Sequence, residues 1–329
     1  MANTTVTLQD VREAAERIRP YIRRTPLLRQ KNMDEALGCQ IYLKPEMLQL
    51  TGAFKLRGAL SKILALPEEK LKKGIITSSS GNHAQACAYA GQMLGIPTTV
   101  IIPEDAPAIK IKNAKAMGAH VILWNRRYDE RWKKVHQEVA EHGYTIVHPY
   151  EDYTVMAGQG TIGLEILEDL PDVDAVLVPI GGGGLISGIS TAFKALKPHV
   201  RVIGVQAAAS AAYYVSRQKG CPSEAPCLPT VADGLSCRRP GENPYPIIEK
   251  NVDDIVVVEE EAILEAVRLV ARNAKLVAEP SACVGIAALL SGAAKARPDE
   301  KVSVVLTSGN WDIDQVGRIL KGEPVEGVL

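Results

Sequence analysis

From residue 74 onward the apolar positions change period repeatedly. Short runs rich in β-branched residues alternate with longer stretches that carry one apolar face. GIITS reads as a strand, GNHAQACAYAGQMLG as a helix with an alanine-rich face and a glycine stop, and TTVIIP as a second strand. AIKIKNAKAMG follows as a helix, HVILW as a strand, YDERWKKVHQEVAEHG as a charged amphipathic helix, and YTIVHP as another strand. The alternation restarts with AGQGTIGLEILEDL (helix), DAVLVPI (strand), GGGGLISGISTAFKAL (loop into helix) and RVIGVQA (strand). Residues 208–246, rich in Pro, Gly and Cys, read as irregular. EEEAILEAVRLVARNA and SACVGIAALLSGAAKA then read as helices and KVSVVLTSG as a strand. Strands alternating with helices of about 10–15 residues predict βαβ units and parallel sheets. The expected fold is α/β, with two open twisted sheets and flanking helices. A small domain over residues 74–150 would be inserted in a large one built from 1–73 and 151–329.

Composition narrows the function. With 329 residues, 46% of them hydrophobic, the chain can bury a sizeable core. Lys plus Arg and Asp plus Glu are both 38, so the net charge is zero and gives no electrostatic reason to expect nucleic acid or an anionic membrane as partner. No apolar run approaches the roughly 20 residues of a membrane span. The first 20 residues lack a basic region followed by an apolar one, so no signal peptide is expected. The six cysteines are scattered, without C-x-x-C, and read as free thiols of a cytoplasmic protein. Cys221, Cys227 and Cys237 have neither histidine nor finger spacing nearby, which argues against zinc.

Three strand ends carry candidate chemistry. In PIGGGGLISG, residues 179–188, a strand runs through four glycines into a helix. Backbone N–H groups there can converge on one anion at the helix N-terminus. No lysine stands at the Walker position and G-x-G-x-x-G is absent, so a single phosphate fits better than a nucleotide. A plain tight turn is the competing reading, disfavoured by the entropy of four glycines. In TSSSGNHAQA, residues 77–86, hydroxyls crowd a second strand-to-helix junction suited to an anion. Ser79 or Ser80 could instead only cap the helix, and His83 reads as a core histidine rather than a catalyst. In VVLTSGNWD, residues 304–312, a third strand ends in hydroxyls. Ligands of open α/β sheets bind at strand carboxyl ends, so all three can face one crevice.

Lys55 sits in LTGAFKLRGA with no acidic residue within four positions on either side. An unpaired lysine in an apolar segment is either solvated or desolvated and reactive. A reactive lysine beside a phosphate cradle suits pyridoxal 5'-phosphate, which needs a Schiff-base lysine, an anion site and a partner for its ring nitrogen.

TGAFKLRGA, SSSGNHAQA, AGQGTIGLEI, VPIGGGGLISG and VVLTSGN, in that order and spacing, resemble the serine/threonine dehydratases and serine racemases. These are pyridoxal-phosphate enzymes of the tryptophan-synthase-β type (fold type II), and the resemblance covers essentially the whole chain. The ending resembles the short degradative dehydratases, so no regulatory domain is expected after residue 329. The resemblance implies a cofactor in the cleft between the two domains, a homodimer, a small amino-acid substrate and no metal. It implies that Lys55 holds the cofactor aldehyde, Phe54 packs on its ring, Asn82 bonds the ring hydroxyl, and Glu279 lies near the cofactor. Gly181, Gly182, Gly183, Gly184 and the Leu185 backbone would hold the phosphate. Ser79, Ser80, Gly81, Asn82 and His83 would take the substrate carboxylate. Thr307 falls where the family usually has a serine facing the ring nitrogen. The implied reaction is α,β-elimination. Freed Lys55 takes the Cα proton, the β-hydroxyl leaves, and an enamine hydrolyses to a 2-oxo acid and ammonia. A hydroxyl at the ring nitrogen does not hold it protonated, which favours prompt elimination.

The departures set the alternatives. Ser80 stands where threonine-type dehydratases commonly have alanine and serine racemases have serine. It could serve as a catalytic acid on the opposite face of Cα, which would make the chain a racemase. Gln206 follows VIGV where the racemases' metal-binding acids are expected, and AAASAAYY beyond it supplies none. Thr307-Ser308 replaces the usual Ser-Gly, and the residues after Glu279 differ from the family's Gly-Ala-Gly form. The substrate side chain therefore stays open among serine, threonine, 3-hydroxyaspartate and phenylserine. A β-replacement enzyme and a non-catalytic phosphate-binding protein are the remaining readings. The second leaves Lys55 unexplained.

Overall fold

The computed structural model describes residues 5–106, 108–125 and 127–325. α1 (Leu8–Ile18), β1 (Leu28–Arg29), α2 (Asp34–Leu37), β2 (Gln40–Pro45), α3 (Lys55–Ile63) and α4 (Glu68–Lys73) open the chain. Next come β3 (Ile75–Ser78), α5 (Asn82–Leu94), β4 (Thr98–Pro103), α6 (Ala108–Ala116), β5 (His120–Trp124), α7 (Tyr128–His142) and β6 (Thr145–Ile146). α8 (Tyr153–Asp169), β7 (Ala175–Pro179), α9 (Gly184–Leu196), β8 (Arg201–Ala207) and α10 (Ala212–Lys219) follow. α11 (Pro244–Asn251), β9 (Asp254–Val258), α12 (Glu260–Leu269), α13 (Pro280–Leu290), β10 (Lys301–Leu306) and α14 (Ile313–Lys321) complete it.

The strands form two sheets. One has four parallel strands in the order β5-β4-β3-β6. The other has six in the order β1-β2-β10-β7-β8-β9, parallel except for β1. The last strand of the chain, β10, thus lies between β2 and β7. Its register, Leu306 beside Pro45 and Val304 beside Leu177, brings the carboxyl ends of β2, β7 and β10 to one edge.

The near-continuous apolar strands are explained by cover on both faces. Ala175 and Leu177 pack with α13 residues such as Val284 and Ala288. Val176 and Val178, pointing the other way, pack with Ile162 of α8 and Ile189 of α9. Among the described residues no helix is long and apolar enough to cross a membrane.

Three differences from the sequence reading have physical causes. The stretch 208–246 contains α10 and a short turn of helix at Asp233–Leu235. α10's AYYVSRQK buries Ala212, Tyr213 and Ser216, too mixed a face to signal a helix by apolar period alone. YTIVHP contributes only two paired residues, because β3 offers Ile75 and Ile76 to β6 and the chain turns away at Pro149. DIVVV is an unpredicted edge strand beside β8.

Candidate active site

The strand ends meet as expected. Phe54, Lys55, Ser79, Ser80, Gly81, Asn82, His83, Gly181, Gly182, Gly183, Gly184, Leu185, Glu279 and Thr307 all line one cavity of about 270 Å³.

Lys55 is the first residue of α3. The chain before it is pinned where the Phe54 N–H donates to the Thr307 carbonyl at 3.0 Å. Its Nζ donates to the Pro149 carbonyl at 3.0 Å and lies 5.0 Å from the centre of the Phe54 ring. Among the described residues no carboxylate is bonded to it. Burial lowers its pKa from the ordinary lysine value to about 8, so about a tenth of it is neutral at pH 7.

The glycine loop is shaped by close approach. β7 ends at Pro179, and Gly183, with φ of +95°, is the residue before α9. A Cβ on Gly182 would lie 2.2 Å from the Tyr150 ring, and one on Gly183 2.2 Å from the Tyr213 hydroxyl. That hydroxyl donates to the Gly182 carbonyl at 2.9 Å and accepts the Gly241 N–H at 3.0 Å. Side chains are excluded, so the loop offers only backbone. The first N–H groups of α9 have no acceptor within the helix. A single phosphate fits such a cradle.

The junction before α5 is built differently. Gly81 occupies the cap position, with no side-chain cap. The Ser79 hydroxyl accepts the Gly81 N–H at 3.2 Å. Ser79 and Ser80 are therefore not the helix cap that the sequence allowed. The Ser80 side chain makes no hydrogen bond among the described residues and borders the cavity. Asn82 Nδ2 donates weakly to both Glu279 carboxylate oxygens (3.3 and 3.4 Å), and its Oδ1 accepts Asn310 Nδ2 at 2.9 Å. Asn310 Nδ2 also donates to the Thr51 carbonyl at 2.7 Å. Glu279 itself is buried, at the start of α13.

His83 faces inward, as the core reading expected. Nε2 meets the Val147 carbonyl at 2.9 Å, while Nδ1 has no hydrogen-bond partner among the described residues. Burial, helped by Lys55, lowers its pKa to about 3, so it is neutral and brings no positive charge to a carboxylate. Thr307 is buried, and its hydroxyl makes no hydrogen bond among the described residues. Gln206 is also buried. Its Nε2 donates to the Ile180 carbonyl at 3.4 Å and its Oε1 accepts the Tyr214 N–H at 2.9 Å. Cys221, Cys227 and Cys237 are free.

Sequence reasoning missed part of the wall: Pro149, Tyr150, Asp233, Gly234, Leu235, Ser236 and Ser281. Pro149 ends a run read as a strand and Tyr150 follows it, so the strand-end rule could have found them. Asp233 to Ser236 lie in the stretch without period and carried no signal.

The donor set now points to a class of protein. An unpaired lysine of lowered pKa, a side-chain-free anion cradle and an unbonded hydroxyl at the third strand end fit pyridoxal phosphate. The pyridoxal-phosphate dependent enzyme family matches the chain over residues 18–308, and the chain belongs to that family. It is 45% identical to the L-threonine ammonia-lyase of Geobacter sulfurreducens over 311 residues, 94% of this chain and 77% of that protein. It is 39% identical to the L-threo-3-hydroxyaspartate ammonia-lyase of Saccharomyces cerevisiae over 317 residues, 96% of this chain and 97% of that one. The solved serine racemase of Dictyostelium discoideum superposes with a TM-score of 0.89 at 37% identity, covering 94% of this chain and all of that one.

Proposed function

We propose that the chain is a pyridoxal-phosphate-dependent ammonia-lyase. It would convert a β-hydroxy L-amino acid of the threonine or serine type to a 2-oxo acid and ammonia. The observation that carries this reading is Lys55, paired with no carboxylate among the described residues, held at about 8 by burial and opening on the same cavity as the glycine loop. The threonine ammonia-lyase relative supports it.

The cofactor supplies an aldehyde for the substrate amine and a ring that draws electrons from Cα. Lys55 Nζ would hold that aldehyde and, when free, would move the Cα proton, a task that its lowered pKa suits. The backbone of Gly181, Gly182, Gly183, Gly184 and Leu185 would hold the phosphate. Thr307 would offer a neutral hydroxyl to the ring nitrogen, Asn82 would serve the ring hydroxyl, and Phe54 would border the ring. Ser79 to Asn82 take the substrate carboxylate at the start of α5. His83, being neutral, shapes that wall without contributing charge.

Two features rank the substrates. Asp233 and Glu279 line the cavity, and Lys55 is its one cationic residue among the described residues. A β-carboxylate would meet repulsion there, so threonine and serine rank above 3-hydroxyaspartate. About 270 Å³ shared with a cofactor ranks them above phenylserine too.

The same reading divides the chain at residues 74 and 150, supported by a four-stranded sheet whose strands run from Ile75 to Ile146. It places a homodimer in the cytoplasm, in line with six free cysteines.

The racemase reading is favoured by one observation, the unbonded Ser80 hydroxyl at the cavity. The two separate when loaded protein is mixed with L-threonine, L-serine, their D forms, 3-hydroxyaspartate and phenylserine. Oxo acid and ammonia without enantiomer establish the lyase. Enantiomer forming faster than oxo acid establishes the racemase, with Ser80 as its second catalytic residue.

A further inference from the structure

One buried charged cluster beneath the cavity has no part in that chemistry. Arg57 lies two residues after Lys55 on α3, about 200° around the helix. Lys55 therefore faces the cavity while Arg57 faces the floor, where it is fully buried.

Its guanidinium makes two forks. Nε and Nη2 donate to Glu46 at 2.8 and 2.9 Å, and Nη1 and Nη2 donate to Glu165 at 2.6 and 2.9 Å. Nη1 also reaches Thr161 Oγ1 at 3.2 Å. Lys44 Nζ donates to the same Glu165 at 2.5 Å, so two cations balance two anions. Burial opposes charge on Arg57, but Glu46 and Glu165 outweigh it and keep the residue protonated.

Glu46 follows β2, Lys44 lies in it and Glu165 lies in α8. One guanidinium thus ties the first turn of α3 to the large sheet and to α8. Exchanging buried ion pairs for apolar groups is often neutral or stabilising, so stability alone does not account for three buried charges and a fourth, on Glu165, at the edge of the cluster. Bidentate forks do fix distance and angle.

The packing leaves little slack. A Cβ on Gly158 of α8 would lie 2.5 Å from the Arg57 carbonyl, so the two helices meet backbone to backbone. On α8's other side, a Cβ on Gly188 of α9 would lie 2.1 Å from the Met156 carbonyl. α8 is therefore the spacer between the helix that begins with Lys55 and the helix that begins at the glycine loop.

We propose that Arg57, clamped by Glu46 and Glu165, is the positioning residue for Lys55, setting the rotation and height of α3 so that Nζ stands at the correct distance from the glycine loop. This rests on the role proposed for Lys55. It also gives AGQGTIGLEI a task, since the motif carries Gly158, Thr161 and Glu165.

The test begins with the wild type. Borohydride reduction of the pyridoxal-phosphate-loaded protein, followed by peptide mass analysis, should label Lys55. Failure there defeats the functional reading itself. With that label in hand, Glu165→Gln and Arg57→Lys are compared with wild type. The readouts are melting temperature, pyridoxal phosphate Kd, the pH midpoint of the bound cofactor's visible absorption, and kcat and KM for L-threonine.

Glu165→Gln should melt within a few degrees of wild type, shift the midpoint and lose kcat by on the order of 10- to 100-fold, with KM changed much less. Arg57→Lys, which loses both forks, should lose more. A folded Glu165→Gln with unchanged midpoint, Kd and kcat overturns the proposal. If both variants fail to fold, Thr161→Val decides, because it removes one contact to Arg57 and, besides it, only the bond to the Gly158 carbonyl. A shifted midpoint with lowered kcat supports positioning, and wild-type values overturn it.

Discussion

Two helix N-termini face the same cavity and are built by opposite means. The start of α9 is all backbone. Tyr150 and Tyr213 press so closely on Gly182 and Gly183 that no side chain can enter, and Gly183 has a left-handed φ as well. The start of α5 is mostly side chain. Ser79, Ser80, Asn82 and His83 crowd it, and its cap, Gly81, has nothing within 4 Å of an added Cβ. The first arrangement suits a group bound permanently, whose charge and shape never change. The second suits a ligand that comes and goes, because hydroxyls and an amide can adjust. Glycine appears in both, but only at α9 does packing demand it.

The largest effect should come from Gly183→Ala. Strain at φ of +95° and a 2.2 Å approach to the Tyr213 hydroxyl displace the loop. Pyridoxal phosphate affinity should fall by on the order of 100-fold, while pyridoxal without its phosphate binds variant and wild type alike. Equilibrium dialysis with both compounds checks this. Equal losses for the two would mean that the loop does not read the phosphate.

Asn82→Ala should come next. It removes the amide that bonds both Glu279 and Asn310, at a stability cost of about 1–3 kcal/mol. KM for L-threonine should rise roughly tenfold, with phosphate-dependent affinity little changed. Denaturant melts and steady-state kinetics separate the two effects.

The α5 side also carries the titratable group. His83 has its folded pKa lowered to about 3 by burial, against about 6.5 in an unfolded chain. Above pH 6.5 neither state is protonated and the residue contributes nothing to the pH dependence. Between about 6.5 and 3 the unfolded state binds a proton that the folded state refuses, so stability is lost as the pH is lowered. The slope is at most about 1.4 kcal/mol per pH unit for this residue. His148, also lowered to about 3 by burial, adds to the trend. Urea midpoints of the cofactor-free protein from pH 7 to 4 should show the decline, and His83→Asn should flatten part of it. An unchanged slope in that variant would count against a buried neutral His83.

Gly81→Ala should do least. The space is open and φ of −114° is outside the left-handed region, so cofactor affinity should stay within about twofold. Similar damage from Gly81→Ala and Gly183→Ala would erase the distinction between the two termini.

Local chemistry made much of this readable in the chain. TTVIIP, HVILW and RVIGVQA coincide with β4, β5 and β8 from end to end, because β-branched runs bounded by turn residues carry their own signal. Lys55 stood out because its neighbours include no acid. Arg57, in the same quoted motif, passed unnoticed for the complementary reason. Its carboxylates come from 11 and 108 residues away, and nothing local announces them. The cap reading for Ser79 and Ser80 failed at the same boundary. Either serine could have capped α5, and the position of the first turn left that place to Gly81.

The sequence by itself determined the alternation of strands and helices, the side-chain-free loop before α9 and the lysine without a local partner. Those depend on residue period, turn chemistry and neighbours a few positions away. The tertiary structure alone decided that β10 lies between β2 and β7, that Tyr150 closes over Gly182, that His83 is buried neutral and that Arg57 is clamped under Lys55. Each of these joins segments far apart in the chain. Burial and close packing choose such partners only once the whole fold is assembled.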